Sequence, residues 1–219
     1  MRRFGGLDVA IANAGIHIEG ALATMDPEKV ERVLEVNLLG VWRTDRPVLS
    51  HVIERRGYLL NISSLSALVN VPLMGPYAAS KAGVEALTNV LRMELASSGA
   101  RVGCAYFGFI DTDLVRDAFA APSARLMRQS LPSFVSQPAS LSTAVNAIER
   151  AIARRSGRVW APRYVLGAYL GRGLLAPLSE RRAMGSPVLD EALELARPAT
   201  PSPRRTQEPM AAVGEDGRL

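Results

Sequence analysis

The chain has 219 residues, 48% hydrophobic and 21% charged, which is one globular domain's worth of sequence with enough apolar content for a sizeable core. A single cysteine, Cys104, excludes an internal disulfide and suits a reducing compartment, and nothing approaches the roughly 18 consecutive apolar residues of a membrane-spanning helix. The formal charge of +5 is concentrated: residues 150–182 hold eight arginines against Glu180 alone, so the chain is basic at one end, with no nucleic-acid motif beside that charge.

No secretory-type apolar stretch follows Met1-Arg2-Arg3, because Gly5, Gly6 and Asp8 interrupt it. Phe4-Gly5-Gly6 reads as a helix end with glycine at its C-cap. Leu7 to Ala12 is a short, nearly continuous apolar run, the pattern of a parallel strand buried on both faces. Asn13-Ala14-Gly15 closes it with small residues, where a backbone turns tightly or approaches a ligand. Asp26-Pro27 starts a helix as N-cap and first helical residue. Val30, Val33, Leu34, Leu38, Val41 and Trp42 then recur at helical spacing and predict a core-facing stripe. Asn37 falls within that stripe, so its amide must brace backbone or hold water near a site.

Gly57 to Ser63 reads as a second buried strand, ending at Ser63-Ser64, and Pro72, Gly75 and Pro76 break the loop that follows. A helix opening at Tyr77 carries Val84, Leu87, Leu91 and Leu95 on one face and stops at Ser97-Ser98-Gly99. Arg101 to Tyr106 is a third strand, leading into Gly108-Phe109-Ile110-Asp111-Thr112. Residues 113–134 are apolar and weakly periodic, as in a helical lid. Pro138 to Arg155 is an amphipathic helix with Leu141, Val145, Ile148 and Ile152 in register, and Arg158 to Ala161 could add a short strand. From about residue 197, Pro, Thr, Ser and Arg dominate, and residues 198–219 read as a disordered tail. Strand alternating with helix predicts an α/β fold with a parallel sheet, in which ligands bind beyond the carboxyl ends of the strands. Asn13, Ser64 and Gly108 lie at such ends, and Tyr77 opens the helix that follows one.

Tyr77 and Lys81 stand four apart, on one face of the predicted helix. A free phenol titrates near pH ~10, and a neighbouring cation stabilises the phenolate, which makes the pair a tunable proton donor. Lys29 and Lys81 are the only lysines among 26 basic residues, so chance would place one four residues after any of five tyrosines with a probability of roughly 5%. The two histidines, His17 and His51, have no metal-ligand spacing to each other or to Cys104 and read as structural or exposed, and no metal site is expected.

Asn13-Ala14-Gly15 after a strand, Asn37, Ser64 after Asn61-Ile62-Ser63, Tyr77-x-x-x-Lys81 and Gly108-Phe109-Ile110-Asp111-Thr112 stand in one order, spaced 24, 27 and 13 residues apart from Asn13 to Tyr77. In these residues the chain resembles the short-chain dehydrogenase/reductase family, in its compact single-domain branch. The resemblance implies a Rossmann-like three-layer sandwich with a mostly parallel sheet, and hydride transfer between NAD or NADP and a carbonyl or secondary alcohol. It implies Tyr77 as general acid/base, Lys81 as the cation that lowers its pKa and holds the nicotinamide ribose, and Ser64 as hydrogen-bond partner of the substrate oxygen. Asn37 would hold a relay water to Lys81. Asn13, Ala14 and Gly15 would line the adenosine side, while Gly108, Ile110 and Thr112 would sit by the nicotinamide. The apolar character of 113–134 suggests a small hydrophobic substrate, the single cysteine suits a cytoplasmic location, and the resemblance implies a homodimer or homotetramer paired through the helices of Asn37 and Tyr77.

Three features depart from the family pattern. Phe107 stands where proline usually precedes the glycine at the end of the third strand, and the segment 163–197 is a basic extension beyond the common core. The opening strands and glycine-rich turn that cradle the pyrophosphate, about 60–80 residues, do not precede Leu7. Residues 1–162 are therefore read as a Rossmann-like domain incomplete at its N-terminus, with an open strand edge, poor solubility and weak cofactor binding expected. An inactive remnant retaining only self-association is the alternative. Gly167, Gly171 and Gly173 reproduce the Gly-x-x-x-Gly-x-Gly spelling, but outside a strand–turn–helix context, and read as an amphipathic or loop segment. With Trp160, Tyr164, Tyr169 and the arginines, residues 158–182 could lie on an anionic membrane surface, form a subunit contact or face solvent.

Overall fold

The computed structural model describes residues 5–197, so the predicted tail over 198–219 lies outside the described residues. Four strands, β1 (Val9–Ala12), β2 (Tyr58–Ile62), β3 (Arg101–Phe107) and β4 (Arg158–Ala161), form one sheet in the order β1-β2-β3-β4. Every pair is parallel, with Ala12 opposite Asn61, Ile62 opposite Ala105, and Phe107 opposite Ala161. The chain therefore leaves β1, β2 and β3 on one edge, which collects residues 13, 64 and 108.

Alternation along β2 splits the core between two layers. Tyr58, Leu60 and Ile62 face α7 (Leu141–Arg154), whose Ala147 and Ala151 pack against them with Ala105 and Val159. Leu59 points the other way with Val102, toward α2 (Gly40–Glu54) and α3 (Gly75–Glu94). On α7 the prediction was inverted in part: Leu141 and Val145 are exposed and Ala144, Ala147 and Ala151 are buried. The alanines let the helix sit close to the sheet, so the larger neighbours are rotated outward.

α1 (Pro27–Leu34) runs into α2 through a single π-helical turn, Glu35–Leu39, closed by the Gly40 amide donating to the Glu35 carbonyl. Asp26 caps α1 by accepting from the Glu28 amide. The π turn inserts a residue into the helical register, and such turns gather at functional sites. Its effect is visible on both sides. Asn37, inside it, is fully buried, whereas Trp42, predicted to face the core, is 49% exposed and stacks under Arg46. Leu87 on α3 is also turned outward, and the buried side of that helix is partly polar, with Ser80, Lys81, Glu85 and Thr88.

Between β3 and α7 the predicted lid segment forms three short helices, α4 (Asp113–Ala118), α5 (Pro122–Gln129) and α6 (Ser133–Ser136). After β4 the basic segment folds as α8 (Tyr164–Ala183) and α9 (Pro187–Leu195). Gly167, Gly171 and Gly173 all lie within α8, so that spelling forms no turn and no phosphate cradle. Arg172 on α8 donates to the buried Glu85 of α3 at 2.8 Å, and Glu85 also accepts from Tyr106 Oη at 3.0 Å. These bonds anchor α8 to α3 and β3.

Candidate active site

The strand ends set the site. β1 delivers the exposed Asn13 and Ala14 and then Gly15, whose backbone lies against two polar groups. A Cβ on Gly15 would sit 3.4 Å from Asn37 Oδ1 and 3.6 Å from Lys81 Nζ, inside ordinary contact distance of both. Asn37 holds the next residue from both sides: the Ile16 amide donates to Oδ1 at 2.8 Å and Nδ2 donates to the Ile16 carbonyl at 2.9 Å. Nδ2 also reaches Ser80 Oγ at 3.2 Å. The buried amide is thus used to brace the loop after β1 against α3.

β2 delivers Ser63 and Ser64. Ser63 Oγ donates to the Lys81 carbonyl at 2.8 Å, fixing α3 to the strand end. Ser64 caps the short 3-10 turn Leu65–Ala67, accepting from the Ser66 amide at 3.1 Å. α3 begins at Gly75-Pro76, proline being tolerated in the first turn, where its missing N–H is not needed. One turn in, Tyr77 and Lys81 share a face, with Nζ 5.7 Å from the centroid of the phenol ring. Lys81 is 4% exposed, and Nζ donates to the Ile62 carbonyl at 2.9 Å. Burial pulls its pKa from 10.5 down to about 8. Burial likewise pushes the Tyr77 phenol above its usual value, with the Ser64 hydroxyl acting in the opposite sense. The ammonium sits under the ring and is not bonded to the hydroxyl.

β3 ends at Phe107-Gly108. A Cβ on Gly108 would stand 2.2 Å from Tyr164 Oη, so the glycine makes room for the phenol of Tyr164 from the first turn of α8. Ile110 is buried and pairs with Ala139, and Thr112 caps α4 by accepting from the Val115 amide.

These elements enclose a cavity of about 570 Å³. Tyr77 and Ser64 lie on its wall with His17, and the remaining wall is largely apolar, drawn from the 3-10 turn, the lid helices and α8. His17 was read from sequence as structural or exposed. It meets the Tyr77 ring edge-on at 5.3 Å between centroids, its Nδ1 has no protein partner, and burial lowers its pKa so that it stays neutral at pH 7. Its position two residues past Gly15, beyond a strand's carboxyl end, was the available signal. His51 lies on α2, away from the cavity.

A family model for short chain dehydrogenase matches residues 1–123. The chain belongs to the short-chain dehydrogenase family. Among its relatives, a 3beta-hydroxysteroid dehydrogenase 1 of Eggerthella lenta is 37% identical over 133 residues, 60% of this chain and 51% of that protein. A short chain dehydrogenase of Burkholderia cenocepacia solved in complex with NADP superposes with a TM-score of 0.68 at 25% identity, over 83% of this chain and 72% of that one. A 4-hydroxyisoleucine dehydrogenase complexed with NADH gives a TM-score of 0.61 at 28% identity, over 70% and 65%. The chain spans about half the length of the curated short-chain dehydrogenases it matches.

The residues present fit the nicotinamide end of such a dinucleotide. Gly15 lies beside Lys81 Nζ, which donates to the Ile62 carbonyl and has two further donors that could serve ribose hydroxyls. Among the described residues no strand lies beyond β1, and no glycine-rich turn joins a strand to a helix.

Proposed function

We propose that this chain carries the proton-handling and substrate side of an NAD(P)-dependent oxidoreductase that interconverts a carbonyl and a secondary alcohol. The observation that carries the reading is the placement of the Tyr77 phenol and Ser64 together on the wall of one apolar cavity, with Lys81 beneath the phenol. When bound, the nicotinamide supplies or accepts the hydride at the substrate carbon. In the direction of reduction, Tyr77 gives its hydroxyl proton to the carbonyl oxygen as that oxygen gains charge, and in oxidation the phenolate takes the proton back. Ser64 donates to the same oxygen and stabilises the charge that develops there.

Lys81 has two tasks in this account. Its spare donors hold the ribose hydroxyls, and its charge favours the phenolate once Tyr77 has released its proton. Asn37 Oδ1 and Lys81 Nζ both border the space beside Gly15, which supports a water between amide and ammonium as the route by which the proton is replaced. Asn13, Ala14 and Gly15 lie toward the rest of the dinucleotide, and Gly108, Ile110 and Thr112 toward its carboxamide. The choice between NAD and NADP belongs to residues other than these.

The cavity falls within the ~300–1,000 Å³ of small-molecule sites, and its apolar wall suits a substrate with a rigid hydrophobic body. The hydroxysteroid named for the Eggerthella lenta relative has that character. Exposed Trp42, Leu87, Val90 and Met93 on α2 and α3 support pairing of two copies through these helices. The test is turnover of a panel of ketosteroids and short polar ketones with NADH and with NADPH. Preferential reduction of the ketosteroids is expected, and equal or greater turnover of the polar ketones contradicts the substrate reading.

A further inference from the structure

α8 has two apolar faces, and only one of them is packed. Val165, Tyr169 and Arg172 face inward: Val165 is fully buried, Tyr169 stacks on Tyr106 and Trp160, and Arg172 is bonded to Glu85. On the opposite side, residues 166, 170, 174 and 178 are all leucine and are 38%, 74%, 79% and 63% exposed. At ~100° per residue they fall within about 60° of one line along the helix. Arg163 and Arg181, both exposed, lie on the same line at its two ends. Glu180, the only acid in α8, is turned aside to accept from Asn70 at 3.1 Å.

The leucine face also meets the cavity mouth. Leu178 is exposed and at the same time lines the cavity, and so does Phe134 of α6, 64% exposed and edge-on to Tyr164 at 5.8 Å. The exposed leucine face of α8 therefore reaches the largely apolar wall of the site at Leu178, with Ser179 and Arg182 beside it on that wall.

A second copy of the chain is a poor occupant for this face. Its centre lies midway between Arg163 and Arg181, so a two-fold pairing of α8 with itself sets Arg163 of one copy against Arg181 of the other. A sheet of anionic headgroups over acyl chains satisfies both features at once: the leucines enter the apolar layer and the arginines meet phosphate at either end. We propose that α8 docks this protein on anionic lipid bilayers, with the cavity mouth turned toward the acyl layer. The docking stands on α8 alone. That the bilayer is the source of the substrate rests on the oxidoreductase reading above.

The test is vesicle flotation of the purified chain with phosphatidylcholine vesicles and with phosphatidylcholine–phosphatidylglycerol vesicles. The parent should float with the anionic vesicles, less so as salt rises, and weakly with phosphatidylcholine alone. Leu170→Gln/Leu174→Gln should lower the anionic-vesicle partition about tenfold or more, and Arg163→Gln/Arg181→Gln should remove the preference for phosphatidylglycerol. All four side chains are exposed, so circular dichroism and melting should match the parent. A parent that does not float with anionic vesicles, or a leucine variant that floats as well as the parent, overturns the proposal. So does a leucine variant that turns a dimer into a monomer by light scattering without changing flotation. No turnover is read in this assay, so its outcome is independent of the catalytic reading.

Discussion

Lys81 Nζ lies 5.7 Å from the centre of the Tyr77 ring and is held there by the Ile62 carbonyl at 2.9 Å. The cation is therefore fixed by the strand end and not by the phenol, as the double role proposed for it toward ring and ribose requires.

That arrangement costs stability. The folded-state pKa of Lys81, about 8, lies below the 10.5 of a free lysine, so the folded protein sheds a proton that the unfolded chain still holds between those pH values. Stability contributed by this group is lowest below pH 8 and recovers as pH rises toward 10.5. Lys81→Met should consequently gain up to about 3 kcal/mol over the parent at pH 7, less the lost hydrogen bond, with the gap narrowing by pH 10. Urea denaturation of both proteins at the two pH values measures it. A gap that does not change with pH contradicts the assignment.

Asp45 offers the opposite titration. It is buried on α2 with Nδ2 of Asn61 donating to it at 2.8 Å, and burial, partly offset by that bond, raises its pKa to about 6 from 3.8. The folded state takes up a proton between these values, so the parent loses stability as pH rises from about 4 to 6 and is level above. Asp45→Asn removes this titration. Its stability relative to the parent should rise by up to about 3 kcal/mol across that window, again by urea denaturation. A constant difference would mean that Asp45 titrates as an ordinary carboxylate.

Much of the site was legible because its signals are local or lie at strand ends. The Tyr77–Lys81 spacing needs only a helix to put both on one face, and Pro76 marks where that helix starts. Asn37 was visible as an amide among apolar residues. The π turn around it was not, since an i→i+5 bond leaves no residue pattern, and this is why Trp42 emerged on the surface. α8 was not legible as a helix because its glycines and its two apolar faces erase the usual polar–apolar alternation. The role of its arginines also depended on partners far away in sequence: Arg172 finds Glu85 only once α8 has folded back over β3. His17 was missed for the same reason, as its contact with Tyr77 is made across two chain segments.

Gly108 and Tyr164 should be coupled. Gly108→Ala places a methyl 2.2 Å from Tyr164 Oη, a clash that must displace the Tyr164 phenol and should cost about 1–3 kcal/mol. Tyr164→Phe removes the hydroxyl and should recover part of that loss. A double-mutant cycle by thermal denaturation reads the coupling, and strictly additive effects would show that the two residues do not meet.

The most direct test of the account is Tyr77→Phe, which deletes one hydroxyl and leaves the ring over Lys81 and against His17. With a ketosteroid that the parent reduces, kcat should fall by about 10²–10⁴-fold while NADH or NADPH binding, followed by fluorescence titration, stays within error of the parent. Turnover within a few-fold of the parent would contradict Tyr77 as the proton donor, and with it the central claim.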